Sequence, residues 1–314
     1  MRRGTREALQ AVQDVLLTLR SGIPGLGHPL QRDEPYRPFF IVGSGRSGNT
    51  VLRRMLCAHG DLHIPPETYV LGDVIRVFRR QRGLLWRDLV PLVLGKFEFY
   101  PEFVTFDVSL RPLANRLLEL PQQERSLARL LDEFYRFHAE SRGFTGRRWG
   151  DKTPLNTFHL DKIRSVFPAA QFIHLLRDGC DVAHSYVSAG LCPDLAAAGR
   201  RWRDSVEAAQ SFSDRHASSC LEIRYEELVR APRQQLDVIC RFLEVDVRTE
   251  MLASEAVAGL MGDVPARPHH ARVGEPISSA SVGKGRRELP LAERQALEPI
   301  IGGTLARLGY HPCA

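Results

Sequence analysis

An α/β fold, with a parallel β-sheet flanked by helices, is predicted by two features of the 314-residue sequence. Three short apolar segments have the composition of buried parallel strands, and amphipathic helical patterns lie between and after them. Strands that alternate with helices are typical of a parallel sheet covered on both faces. Apolar residues make up 43% of the chain, which excludes a disordered protein.

The first strand is predicted over 38–42 and ends at a glycine-rich turn over 43–50, which a helix over 51–59 follows. Two more buried strands are predicted over 171–176 and 220–225. The stretch 70–140, rich in Leu, Phe and Arg, predicts mostly helices. Further helical patterns cover 156–167, 196–216, 232–243 and 291–308.

An apolar stripe over 5–20 predicts a helix, so we expect an N-terminal helical extension over 1–37 before one large domain over 38–314. No apolar run approaches the ~20 residues of a membrane span. Polar residues near the start interrupt any secretory leader, and we expect a soluble, cytoplasmic protein. The net charge of +6 comes from scattered basic residues, which argues against a nucleic-acid partner.

The six cysteines show no paired C-x-x-C spacing. Such a pattern favours reduced thiols over a disulfide framework or a zinc site. The residues concerned are Cys57, Cys180, Cys192, Cys220, Cys240 and Cys313.

The segment 43–50 (GSGRSGNT) has the Gly-x-x-x-x-Gly-x-Thr frame of a phosphate-binding loop. Backbone N–H groups and a helix N-terminus hold anionic oxygens in such loops. Asn49 stands where a nucleoside triphosphatase carries the lysine that reaches the β- and γ-phosphates, and no strand ends in an aspartate suited to position Mg²⁺. The frame predicts a bound phosphate-like group, contacted also by Arg46, and argues against ordinary ATP or GTP hydrolysis.

Arg177 directly follows the strand predicted over 171–176, at the edge of the sheet where open α/β folds bind ligands. Ser185 lies about two helical turns further on, so a guanidinium and a hydroxyl could hold a second phosphate. A structural ion pair between Arg177 and Asp178 is the alternative. Lys152 and Glu67 each lie in a Pro-containing turn, which taken alone indicates surface turn chemistry.

The order of these motifs resembles the sulfotransferases that use 3′-phosphoadenosine 5′-phosphosulfate (PAPS), most of all the tyrosylprotein sulfotransferase branch and its bacterial relatives. Segment 46–50 matches their Arg-Ser-Gly-Thr-Thr loop except at Asn49, and 65–68 matches their Gly-Glu-Glu-Thr segment with one glutamate kept. Their Arg-Asp-Gly with a later serine corresponds to 177–185, and their Tyr-Glu-x-Leu-Val to 225–229. The resemblance covers roughly residues 38–312.

The resemblance implies the sulfotransferase fold and in-line transfer of a sulfuryl group from PAPS to a hydroxyl or phenol, with the bisphosphate PAP as product and no metal. It implies that Glu67 is the general base, with His59 and His63 as competitors, and that Arg46 and Lys152 stabilise the departing phosphate. Arg177 and Ser185 would hold the 3′-phosphate. The implied donor-binding residues are Gly45, Arg46, Ser47, Gly48, Asn49, Thr50, Arg177, Ser185, Tyr225 and Lys284.

The acceptor and the oligomeric state stay open at this point. Small molecules, saccharides, lipids and peptides all carry suitable hydroxyl groups, and only one of the two family glutamates is present. Two rival functions also stay open, namely a P-loop kinase or other phosphotransferase, and a non-catalytic nucleotide-binding scaffold of the same fold.

Overall fold

The computed structural model describes residues 27–33, 36–144, 146, 148–253, 257, 261–263 and 275–314. The helix expected over 5–20 lies outside these residues, as does most of the expected extension over 1–37. The described chain forms two compact units. We call them the sheet unit (37–69, 144–160 and 169–314) and the helical unit, which includes 70–143 and 161–168.

The sheet unit contains five parallel strands in the order β2-β3-β1-β4-β5. The strands are β1 (Phe39–Val42), β2 (Leu62–His63), β3 (Arg148–Lys152), β4 (Gln171–Leu176) and β5 (Cys220–Arg224). Every residue of β1 and β4 is buried, which accounts for their unbroken apolar character. In the register, Phe40 of β1 lies opposite Asp151 on one side and Phe172 on the other.

Helices flank the strands of the sheet unit, with an apolar core between them. They are α1 (Asn49–Cys57), α7 (Gly179–Ser188), α8 (Leu195–Arg215), α9 (Tyr225–Arg230), α10 (Pro232–Leu243), α11 (Lys284–Glu288) and α12 (Leu291–Arg307), numbered along the whole chain. The α/β class predicted from the sequence is confirmed, and the three predicted strands lie within one residue of β1, β4 and β5.

The helical unit confirms the prediction that 70–140 is mostly helical. It contains α2 (Leu71–Gln81), α3 (Trp86–Glu98), α4 (Arg111–Leu118) and α5 (Leu127–Ser141), and α6 (Leu160–Val166) spans the boundary of the units. Aromatic packing joins its helices, with the rings of Phe97 and Phe134 stacked 4.2 Å apart. The Ser126 hydroxyl caps α5 by accepting a hydrogen bond from the N–H of Arg129 at 3.0 Å. None of the described helices is long and apolar enough to cross a membrane.

Two sequence predictions are wrong in this fold. The sequence predicts Lys152 in a tight turn before a helix, whereas it is the last residue of β3, a strand whose sequence RWGDK contains no apolar run. The expectation of six reduced thiols also fails, because Cys180 and Cys313 form a disulfide with their Cα atoms 5.9 Å apart. A separation of 133 residues hides this pair from any spacing rule. Cys57, Cys192, Cys220 and Cys240 are not part of a disulfide.

Candidate active site

The carboxyl ends of four strands bring the predicted site residues to one edge of the sheet. The glycine-rich loop follows β1, Lys152 ends β3, Arg177 follows β4 and Tyr225 follows β5. In open parallel sheets, ligands bind beyond these ends, where the strand order reverses. That reversal occurs at β1, because its neighbours β3 and β4 both come later in the chain.

The loop between β1 and α1 has the backbone of an anion-binding turn. Three residues have left-handed φ angles, 123° at Gly43, 66° at Arg46 and 95° at Gly48. Alternation of backbone hand turns successive N–H groups inward, and the first N–H groups of α1 have no partner within the helix itself. The Asn49 amide donates to the Ser44 carbonyl at 2.9 Å, so this side chain closes the loop where a triphosphatase has its lysine.

Gly45 and Gly48 of the loop are required because aromatic side chains lie close to them. A Cβ at Gly48 would lie 2.3 Å from the ring of Tyr225, and one at Gly45 would lie 2.4 Å from the hydroxyl of Tyr186. Larger residues would therefore displace the loop or the rings. The structure thus brings Gly45, Gly48 and Tyr225 together.

Arg177 lies against the loop with its guanidinium oriented by several groups. It donates to the carbonyl of Arg46 at 3.1 Å and to that of Ser281 at 2.7 Å, and it lies 4.5 Å above the ring of Tyr225. Its Nε is buried and has no hydrogen-bond partner among the described residues. Buried donors are nearly always paired, so this unpaired N–H is a candidate donor to an anionic ligand.

The alternative ion pair between Arg177 and Asp178 does not form. Arg177 contacts Asp181 instead at 3.4 Å, and Asp178 pairs with Arg286. Asp178 also caps α7 by accepting from the N–H of Cys180 at 2.8 Å.

Arg46 and Ser185 complete this group of polar side chains. The Nε of Arg46 donates to the Ser185 hydroxyl at 3.1 Å, which turns this hydroxyl of α7 toward the loop. Burial lowers the pKa of the Arg46 guanidinium, an effect that the neighbouring Arg177 adds to. Two largely buried cations side by side are an arrangement that an anion stabilises.

A second cluster lies on the opposite side of the loop. Lys152 is completely buried, and its ammonium group donates to the carboxylate of Glu67 and to the Thr50 hydroxyl, the latter at 3.3 Å. Burial alone would raise the pKa of Glu67, but the charge and hydrogen bond of Lys152, with a hydrogen bond from Tyr69, lower it below its ordinary value. Glu67 is therefore held as a carboxylate.

A hydrogen-bond network fixes the segments that carry Glu67 and Lys152. The backbone N–H of Thr68 donates to the Thr153 hydroxyl at 3.0 Å, and the Thr68 hydroxyl donates to Asp151 at 2.9 Å. Asn156 donates to the other oxygen of Asp151 at 2.8 Å. The two hydrogen bonds of Thr68 thus join the segment of Glu67 to that of Lys152, 83 and 85 residues apart in the sequence.

Two predicted residues make weaker connections to the clusters. The Ser47 hydroxyl is buried and has no hydrogen-bond partner within the described part of the chain. Lys284 begins α11, is about one-third exposed and lies 3.5 Å from Glu288. Within the described residues, its side chain contacts Glu288 and not Arg177 or the loop. Ser281 contacts Arg177, and Gly283 contacts Asp181.

The competing histidines have structural partners away from Glu67. His59 is 2% exposed, and its Nε2 forms a 2.8 Å hydrogen bond with the carbonyl of Asp246. His63 packs against Phe144, with ring centroids 5.1 Å apart. Neither geometry presents a free imidazole to the Lys152 cluster.

Sequence reasoning missed three residues that contact the predicted ones. Asp181 and Ser281 orient Arg177, and Tyr69 hydrogen-bonds to Glu67. The sequence signals were slight, because Asp181 reads as an ordinary first-turn carboxylate of a helix. Segment 281–285 shows only two glycines around one lysine.

Comparison with known proteins identifies the family that this geometry belongs to. Residues 38–249 match the model described as "Sulfotransferase family". The chain belongs to the sulfotransferase family. Protein-tyrosine sulfotransferase 1 of Danio rerio is 27% identical over 308 residues, which cover 95% of this chain and 78% of the relative. Protein-tyrosine sulfotransferase 2 of Gallus gallus is 25% identical, with coverages of 88% and 70%.

Solved structures of sulfotransferases share the fold. The sulfotransferase domain of the Synechococcus PCC 7002 olefin synthase has a TM-score of 0.59 and 24% identity, covering 90% of this chain and 98% of the domain. The sulfotransferase domain of the curacin biosynthetic pathway gives 0.59 and 22%, covering 89% and 99%. These comparisons confirm the family and the fold expected from the motifs.

Proposed function

We propose that this protein transfers the sulfuryl group of PAPS to a phenolic hydroxyl, and that its acceptor is a tyrosine side chain of a peptide or protein. The observation that carries the proposal is the buried Lys152–Glu67 pair at the Thr50 end of the glycine-rich loop. It joins a fixed cation, an ionised carboxylate and a helix N-terminus in one place. The tyrosine acceptor is supported by the relatives that match most of the chain.

The residues present fit a bisphosphate nucleotide donor. Arg177 has a buried N–H without a described partner, and Arg46 and Ser185 lie beside it. Arg177 and Ser185 would hold the 3′-phosphate, with Tyr225 packed beneath Arg177. The backbone of residues 45–50 and the side chains of Ser47 and Thr50 would hold the 5′-phosphosulfate, which supplies the activated sulfur when bound.

The two charged groups of the second cluster divide the chemistry. When the bond from sulfur to the acceptor oxygen forms and the bond to the bridging oxygen breaks, negative charge develops on that bridging oxygen. The Lys152 ammonium and the Arg46 guanidinium would stabilise it. The Glu67 carboxylate takes the proton of the acceptor hydroxyl, and its lowered pKa keeps it ionised at neutral pH.

Donor choice tests the proposal at the level of binding. PAP should raise the melting temperature in the presence of a metal chelator, because Arg46, Arg177 and the helix N-terminus supply the positive charge. Stabilisation by ATP with Mg²⁺ but not by PAP would support a phosphotransferase instead. PAP binding without turnover of any acceptor would support the scaffold alternative.

Acceptor choice tests the second half of the proposal. PAP release from PAPS should be fastest with tyrosine-containing peptides, slower with simple phenols and slowest with aliphatic alcohols, as expected of a site selected for a tyrosine. Lys152→Met should abolish most release with every acceptor, whereas the matched control Lys96→Met alters an exposed lysine of α3 and should not. Faster release with aliphatic alcohols than with peptides would contradict the tyrosine acceptor.

A further inference from the structure

Asp181 connects the predicted 3′-phosphate residues to a distant segment of the chain. It is 1% exposed, and one carboxylate oxygen accepts from Arg177 and from the N–H of Gly283 at 2.8 Å. The other oxygen accepts from the N–H of Gly285 at 2.8 Å. A single buried carboxylate therefore orients the arginine and holds segment 281–288 beside it.

Segment 281–288 packs directly on the first turn of α7. Ser281 accepts from Arg177 through its carbonyl at 2.7 Å, and its hydroxyl lies 2.7 Å from that of Tyr225. Gly285 lies so close to α7 that a Cβ there would be 2.4 Å from the carbonyl oxygen of Cys180. Movement of this segment would change the surroundings of Arg177.

A second segment, which we call the strap (residues 308–313), contacts segment 281–288 through Arg286. Arg286 pairs with Asp178 and donates to the carbonyls of His311 and Pro312. The Leu308 carbonyl accepts from Arg224, and the Tyr310 hydroxyl donates to Glu226 at 3.0 Å. The strap is tied covalently to α7 by the Cys180–Cys313 disulfide.

We propose that Asp181 is a positioning residue for Arg177 and that the Cys180–Cys313 disulfide locks this arrangement, so that the affinity for the donor's 3′-phosphate depends on the redox state of the pair. The inference rests on the proposed function, since it assigns the 3′-phosphate to Arg177. The disulfide keeps the carbonyls of the strap at a high local concentration around Arg286. Arg286, Gly283 and Gly285 belong to one short segment, so loosening the strap loosens the partners of Asp181.

The redox step needs a dithiol as reductant. The dithiol supplies two electrons and two protons, the bond between the two sulfur atoms breaks, Cys180 and Cys313 become thiols and the dithiol closes to a cyclic disulfide. Both cysteines are buried, but His311, Pro312 and Ala314 on either side of Cys313 are exposed. Local opening of the strap is therefore the step that admits the reductant.

The test compares PAP with adenosine 5′-phosphate, which lacks the 3′-phosphate, by isothermal titration of oxidised and dithiothreitol-reduced protein. Reduction, Cys313→Ser and Asp181→Asn should each lower the affinity for PAP by about tenfold, which is the effect of one well-placed charge-assisted hydrogen bond. Each should change the affinity for adenosine 5′-phosphate by less than about twofold. Cys192→Ser, a free cysteine, is the matched control and should behave as wild type in both redox states. Alkylation before and after reduction reports whether the disulfide was present.

Three results would overturn the inference. The first is alkylation of Cys180 and Cys313 without reductant, and the second is a PAP affinity that stays the same after reduction. The third is a loss of affinity by the same factor for both nucleotides, which is what a general loosening of the fold would cause. If PAP fails to bind even the oxidised wild-type protein, the proposed function falls, and this inference falls with it. If PAP binds both redox states equally, only this inference falls.

Discussion

Replacement of Glu67 by glutamine keeps the size of the side chain and removes the charge of the proton acceptor. In the wild-type protein, this carboxylate is 11% exposed and hydrogen-bonded to a lysine that is completely buried. The glycine-rich loop and the Arg177 cluster are unaltered by the change. Nucleotide affinity should therefore stay near that of the wild type.

The expected loss of turnover follows from the assigned role. A positioned general base contributes roughly 10²–10⁴ in rate, which corresponds to about 3–5 kcal/mol of activation free energy. The loss should shrink with acidic phenols, because these release their proton with less help. Turnover is measured as PAP release from PAPS across a series of phenols of decreasing pKa.

Stability changes in a direction that the pKa of Glu67 fixes. Because the folded protein lowers this pKa, the carboxylate stabilises the fold above the ordinary glutamate range, and that contribution is lost as the pH falls through and below it. Removing one partner of a buried pair costs at most about 3–5 kcal/mol. Urea unfolding at neutral pH should give a lower free energy of unfolding for Glu67→Gln than for wild type. This difference should narrow in acid.

Glu222→Gln is the matched control, since that carboxylate also has a lowered pKa, set first by its hydrogen bond to His174 at 3.2 Å. This variant should be less stable than wild type at neutral pH, the difference should narrow in acid as for Glu67→Gln, and turnover should not fall. Full activity of Glu67→Gln toward an unactivated phenol, with normal nucleotide affinity, would refute the reasoning and place the base elsewhere.

Three further substitutions test individual contacts. Gly48→Ala places a Cβ against the ring of Tyr225 at a left-handed position and should cost about 1–3 kcal/mol of stability. PAP should then raise the melting temperature less than in wild type, and unchanged PAP affinity would contradict the close packing. Tyr69→Phe removes a hydrogen bond that lowers the pKa of Glu67, so the acidic limb of the kcat/KM profile should move to higher pH at unchanged PAP affinity, and an unshifted limb would disprove this contact. Arg53→Met removes a fully buried guanidinium bound to Asp263 and to two carbonyls. The free energy of unfolding in urea should fall by ~3–5 kcal/mol, and a much smaller loss would show that the pair contributes little.

The parts of the fold that sequence reasoning predicted are those with local, one-sided signals. β1, β4 and β5 are short runs of apolar residues bounded by turn residues, and the long helices repeat their apolar positions. β3 was not predicted, because its last three residues, Gly150, Asp151 and Lys152, contain two charges and are soon followed by Pro154. Such a sequence suggests a turn and not a buried strand. Burial of these charges is made possible by partners such as Glu67 and Thr68, which lie 85 and 83 residues away in the sequence.

The candidate site divides in the same way. The loop, Arg177 and Ser185 could be found because each lies in a short motif at the end of a strand. Asp181 escaped, because its role depends on Gly283 and Gly285 about 100 residues away. The disulfide could not be predicted for the same physical reason, as only the folded chain brings Cys180 to Cys313.

The most direct measurement follows sulfur from donor to acceptor. PAPS labelled with radioactive sulfur is incubated with the protein, a tyrosine-containing peptide and a metal chelator, and the peptide is isolated and counted. The label should appear on the tyrosine in step with PAP release, and Lys152→Met should reduce both while Lys96→Met leaves both intact. PAPS that stays intact with every hydroxyl acceptor, or a peptide modified only when ATP and Mg²⁺ are supplied, would contradict sulfuryl transfer as the activity of this protein.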